Sequence, residues 1–124
     1  KYIGDAVMAF WGPPFTTATQ QAEQACSAAL AQRRALVGLR ERSAEALGPA
    51  GRSLDIRCGI ATGELVAGSV GPAQARRFTV LGDVVNLAAR LEGANKVYGT
   101  RVLVSESTAR TAAAKPVRSA PQAV

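Results

Sequence analysis

The 124-residue chain contains no histidine. This removes the commonest general base and metal ligand from whatever chemistry it performs. Carboxylates, Lys, Arg, Asn and hydroxyls remain, alone or with a bound metal ion. Asp5 follows Gly4 between two apolar runs, the pattern of a tight hairpin turn. A carboxylate at such a tip can serve a hard cation, and an Asp after Gly can equally do no more than make the turn. Asn86 and Arg90 stand four residues apart in a segment where Val84, Leu87, Ala88 and Leu91 recur at helical spacing. At roughly 100° per residue the two polar side chains share the face opposite that apolar stripe. An always-charged guanidinium beside an amide suits a phosphorylated substrate, and a solvated helix face has the same appearance.

The elements that must position these residues follow from punctuation and period. Tyr2-Ile3 and Ala6 to Trp11 read as the two strands of the first hairpin, closed by Gly12-Pro13-Pro14. Thr17 is expected to cap a long helix, with Gln20 completing a capping box. Ala22, Ala25, Ala29, Leu36 and Leu39 form its apolar face, and it should stop near Leu47 before Gly48-Pro49. Leu54 to Thr62 alternates as a strand, Glu64 to Ser69 as a hairpin-like stretch, and Arg76 to Leu81 as another strand. Asp83 is placed to N-cap the second helix. Arg101 to Val104 reads as a strand, and Ser105 as the cap of a short helix through Arg110. From Ala112 the Ala/Pro/Ser-rich tail has no periodicity and is expected to be disordered. Strands alternating with helices give an α/β or α+β sandwich with helices on one sheet.

Composition narrows the class. Hydrophobic residues make up 48% and charged residues 19%, as in folded soluble proteins and unlike disordered ones. No apolar run approaches the roughly 20 residues that span a bilayer. The net charge of +6 is scattered over the chain, and aromatics are only 5%; without a basic stripe, no nucleic-acid partner is expected. Cys26 and Cys58 lack CxxC spacing and read as reduced, buried small hydrophobes. Gly63, Gly68 and Gly71 are not accompanied by a Walker-type phosphate cradle and serve backbone geometry.

Two segments make the chain more specific. Lys1-Tyr2-Ile3-Gly4-Asp5-Ala6-Val7-Met8-Ala9-Phe10 resembles the metal-binding hairpin of class III nucleotidyl cyclases. Arg77-Phe78-Thr79-Val80-Leu81-Gly82-Asp83-Val84-Val85-Asn86-Leu87-Ala88-Ala89-Arg90-Leu91-Glu92 resembles that family's strand-to-helix signature. Arg57 to Gly63 and Val66 to Gly68 are similar to its central hairpin, and the order is collinear to about residue 108.

The resemblance implies a ferredoxin-like βαββαβ core, incomplete at the N-terminus, over residues 1–111, with residues 112–124 as the tail. It implies a catalytic domain that converts ATP to cyclic AMP and pyrophosphate with two divalent ions, Mg²⁺ or Mn²⁺. Asp5 then corresponds to a metal ligand, Lys1 and Thr79 to the purine-selecting pair, Asn86 to the ribose-orienting residue and Arg90 to the phosphate-binding one. A second metal-binding Asp is expected on a strand before Lys1. The expected assembly is a homodimer with shared sites, Asp5 coming from one subunit and the other four residues from its partner. Lys donates and Thr can accept, which fits adenine; a hydroxyl also donates, so a guanylyl cyclase stays open, as does an inert cyclase-like dimerisation module. Lys115 does not reproduce the family's triphosphate-binding lysine hairpin and is given no role. The expected setting is cytoplasmic, with an upstream sensor or membrane domain in the parent protein.

Overall fold

The computed structural model describes residues 1–113. Its centre is a short parallel pair, β3 (Cys58–Ile60) and β6 (Val102–Val104), with Gly59 opposite Leu103. Backbone bonds from Cys58 N–H to the Arg101 carbonyl and from Ser105 N–H to the Ile60 carbonyl, both 2.8 Å, extend the ladder at each end. One face of the pair is covered by α1 (Gln21–Leu47) and α4 (Glu106–Ala113): Ala22, Cys26, Ala29 and Ala112 pack with Val102 and Val104. Small side chains at these helix positions let α1 lie close to the strands, and alanine is the best helix former besides. The other face is covered by α3 (Asp83–Tyr98). The α1 helix stops where expected, at Gly48, and Pro49 opens a one-turn helix α2 (Pro49–Arg52), a position that tolerates its missing N–H.

Two antiparallel hairpins flank this centre. β1 (Tyr2–Ile3) pairs with β2 (Ala6–Val7), and β4 (Val66–Val70) pairs with β5 (Arg77–Leu81), Gly68 lying opposite Thr79. Both hairpins are lightly buried: Tyr2 is 83%, Val66 72% and Leu81 60% exposed. Burial of one large aliphatic side chain contributes about 1.5–3 kcal/mol. Leu103 and Val104, at 2% and 0% exposure, therefore place the stability in β3 and β6. Isolated two-stranded hairpins are marginal in water.

The fold is α+β, as expected, with instructive departures. Three separate two-stranded sheets stand in place of one continuous sheet among the described residues. Thr17 does not cap α1. Its carbonyl accepts from Gln20 and Gln21 in a turn, its hydroxyl lies 3.2 Å from that of Thr19, and the helix starts at Gln21. Leu39 is exposed, since α1 outruns the strands it covers. The second strand ends at Val7 rather than Trp11. The stretch from Leu54 pairs only over Cys58–Ile60, because guanidiniums of α1 occupy the preceding backbone: Arg40 bonds the Leu54 carbonyl and Arg33 the Ile56 carbonyl. Asp83 is the first residue of α3, after Gly82, and makes no side-chain cap. The α3 apolar stripe is half-buried, with Leu87 40% exposed. Ser105 does cap α4, its Oγ accepting from Thr108 N–H at 3.2 Å. That helix continues past Arg110 to Ala113, because Ala112 is part of the core and not of the tail. The rest of the expected tail lies outside the described residues.

Asp55 ties the two ends of the core together. Its carboxylate receives Arg33 and Arg40 from α1 and Arg101 from the entry to β6. Burial pushes its pKa up, but hydrogen bonds from Arg33, the Ile56 N–H and Arg101 outweigh this and lower it to about 2. A depressed carboxyl pKa stabilises the fold above the unfolded value, and that contribution is lost as pH falls through the folded value. Asp55→Asn should therefore cost on the order of 1 kcal/mol at neutral pH, the side chains being about a third exposed. The difference from wild type should vanish between about pH 4 and pH 2. Urea unfolding of both proteins across that range is the measurement; a difference independent of pH would show that the carboxylate charge is not what matters.

Candidate active site

The first hairpin delivers both of its predicted site residues. Gly4 has φ +60°, and Asp5 has no positive φ, the pattern of a two-residue turn with glycine at its first central position. This leaves Asp5 exposed at the tip. At the open end, Met8 N–H donates to the Lys1 carbonyl at 2.7 Å and the Lys1 nitrogen donates to the Met8 carbonyl at 2.8 Å, which fixes the register of Lys1. The hairpin is then held against β5 by aromatics. Phe10 stacks on Phe78 with centroids 5.6 Å apart and also meets Phe15 edge-on at 6.4 Å. Such pairs add about 0.5–1.5 kcal/mol beyond the area they bury.

The consequence is a contact across 78 residues of sequence: Lys1 Nζ donates to Thr79 Oγ1 at 3.1 Å. The ammonium keeps two further protons, and the hydroxyl keeps one lone pair and its own proton. A donor and a donor–acceptor thus sit side by side, free to meet the edge of a polar ring.

Asn86 and Arg90 are brought together as well. With Thr62, Asp83, Val84 and Leu87 they line an open cleft of about 500 Å³ at the start of α3. Both are exposed, as the position opposite the apolar stripe requires. The placement of α3 rests on its contact with β3. A Cβ on Gly59 would come within 2.1 Å of the Ala88 carbonyl oxygen, so helix backbone lies directly on the strand. Asn95, fully buried, fastens the far end of α3: its Nδ2 donates to the Cys58, Leu91 and Glu92 carbonyls, and its Oδ1 accepts from Thr100. Arg57 adds an ion pair to Glu92 at 3.0 Å. None of these three supports was found by reading the sequence. Their only local signal was a glycine within a strand and an amide near a helix end.

For a metal ion the chain offers less. Among the described residues no group of three or more His, Cys, Asp or Glu could hold one. A lone carboxylate does not fit an all-protein cage. It does fit a hard cation that takes one or two protein carboxylates and completes its shell with phosphate oxygens and water. Both cysteines are free, and burial pushes both thiols up in pKa. Among the described residues no helix is long and apolar enough to cross a membrane.

With this geometry in hand, comparison with known proteins is decisive. The family model of the adenylate and guanylate cyclase catalytic domain matches residues 1–120. The chain belongs to that family. Over 110 residues it is 43% identical to adenylate cyclase 1 of Rhizobium meliloti, covering 85% of this chain and 15% of that protein. Adenylate cyclase of Anabaena cylindrica is 36% identical over 111 residues, 89% of this chain and 21% of the relative. The terminal-differentiation-specific adenylate cyclase of Dictyostelium discoideum is 36% identical over 108 residues, 87% and 5% respectively. The chain thus spans at most about a fifth of these relatives. In this cyclase domain, Thr79 lies on β5 and Asn86 and Arg90 lie on α3, two elements joined through the single residue Gly82.

Proposed function

We propose that this cyclase domain handles ATP and converts it to cyclic AMP and pyrophosphate in a homodimer with shared sites. The observation that carries the reading is the Lys1–Thr79 contact at 3.1 Å. Two residues 78 positions apart in sequence converge as a purine-reading pair would, and the relatives named above are adenylate cyclases. Adenine offers an acceptor at N1 and a donor at its 6-amino group; Lys1 donates to the first and Thr79 accepts from the second. Guanine offers the reverse and would leave buried polar groups unpaired, which is a costly mismatch.

The reaction joins the ribose 3′-oxygen to the α-phosphorus as the bond to pyrophosphate breaks, and the 3′-hydroxyl proton is lost. Asn86 hydrogen-bonds and orients the ribose so that its 3′-oxygen is in line. Arg90, one helical turn further on, neutralises the charge that grows on the α-phosphoryl oxygens. Asp5 would hold Mg²⁺ or Mn²⁺ together with phosphate oxygens and water. When bound, the ions favour a deprotonated hydroxyl and offset phosphate charge. Asp5 acts from one subunit, and Lys1, Thr79, Asn86 and Arg90 act from its partner.

Three outcomes test this in the full-length protein. With Mg²⁺ or Mn²⁺, ATP should be cyclised far faster than GTP, and Lys1→Glu with Thr79→Cys should erode the preference. Equal turnover of the two nucleotides, read by chromatography of the cyclic products, would sink the pairing argument. Arg90→Ala should remain folded, since the side chain is exposed, and should lose on the order of 10² to 10³-fold in kcat with little change in KM. Arg90→Lys should recover only part of that loss; unchanged kcat would remove Arg90 from the mechanism. Mixing Asp5→Ala with Arg90→Ala subunits should restore activity, because one composite site in the heterodimer is intact. Heterodimers without activity would place each site within one chain.

A further inference from the structure

The cleft that holds Asn86 and Arg90 has two further polar wall residues, Asp83 and Thr62, for which the reading above has no use. Thr62 follows β3 and lines the cleft. Its Oγ1 lies 2.8 Å from Thr108 Oγ1, and Thr108 is completely buried. Thr108 Oγ1 in turn lies 2.9 Å from Ser105 Oγ and 3.4 Å from the Ile60 carbonyl oxygen. A chain of three hydroxyls therefore runs from the cap of α4, through the interior, to the cleft surface.

A buried threonine hydroxyl with several oxygen neighbours and one proton is held in one rotamer by them. Its neighbour at the cleft inherits that constraint. The half-buried Thr62 hydroxyl is thereby presented at a fixed place rather than rotating freely, which is what distinguishes it from an ordinary surface threonine. The Thr62 hydroxyl keeps either its proton or its lone pairs for a ligand, according to which threonine donates in the contact with Thr108, so beside a guanidinium and an amide it can hydrogen-bond a hydroxyl or an oxygen of a ribose phosphate. Preorganised groups of this kind lose little freedom when the ligand arrives.

We infer that Thr62 is a substrate-orienting residue of this cleft, contacting the ribose-phosphate part of the nucleotide, and that Thr108 is its positioning residue. The inference rests on the nucleotide reading of the cleft. It adds a residue from the β3 end, so that the substrate is gripped by α3 and by the strand beneath it at once.

The test is nucleotide turnover and binding by the full-length protein, with a fluorescent ATP analogue as binding probe. Thr62→Val, close to isosteric, should weaken ATP, raising KM and the analogue Kd on the order of 10-fold, the usual scale for a hydrogen bond to a charged group. Thr62→Ser should keep near-normal affinity. Thr108→Val should give a smaller loss, roughly 3-fold, partly recovered by Thr108→Ser, and should add nothing in the Thr62→Val background. A purely structural Thr108 would instead lower the melting temperature and weaken binding to the same extent in both backgrounds, which would overturn its positioning role. Wild-type turnover with Thr62→Val unchanged in KM and Kd overturns the inference alone. A wild-type protein that neither binds the analogue nor turns over ATP overturns the cyclase reading and this inference with it.

Discussion

No side chain larger than hydrogen fits at position 59, because the backbone of α3 rests on the backbone of β3 there. A Cβ would lie 2.1 Å from the Ala88 carbonyl oxygen and 2.3 Å from the Glu92 nitrogen. Backbone-to-backbone approach of this kind leaves no intervening side chain that could repack and let the helix slide. Asn95 and the Arg57–Glu92 pair then fix the same two elements further along. Since Asn86 and Arg90 stand on the rigid body thus defined, their position relative to the sheet is set by a glycine on another element.

The other face of β3 and β6 is fixed differently. Small alanines bring α1 in, and a carboxylate with three arginines holds the end where packing thins out. Two of those arginines, Arg33 and Arg40, also explain why the chain before Cys58 forms no strand: they take the carbonyls that a neighbouring strand would have bonded. Asp55 is thus the counterpart, in charge, of what Gly59 achieves by absence of volume. One acts within β3 and the other on the few residues just before it.

Much of this was legible in the sequence where a local rule sufficed. Gly4-Asp5 announced its turn, Gly48-Pro49 the end of α1, Ser105 the cap of α4, and the Asn86/Arg90 spacing their common face. The failures share a cause. Thr17 and Asp83 have the right residue type for caps, yet turn geometry upstream and Gly82 decided where the helices begin. Ala112 reads as tail by composition, and only the cavity it fills makes it core. The Thr62–Thr108 contact and the Phe10–Phe78 stack join distant segments, and no periodicity reports on such pairs. Resemblance to the cyclase family singled out Lys1, Thr79, Asn86 and Arg90; it said nothing of what holds them up.

Two lightly buried hairpins carry Lys1 and Thr79. Each belongs to a two-stranded hairpin with most of its apolar side chains in water, and one aromatic stack with one hydrogen bond joins the two. Elements so thinly supported open and close more readily than the β3–β6 centre. A molecule that bridges Lys1 and Thr79 also stitches the hairpins to each other. Recognition and local ordering then draw on one free energy, and whatever else tightens the hairpins prepays part of it, so that two events without a shared contact become cooperative through lost motion alone.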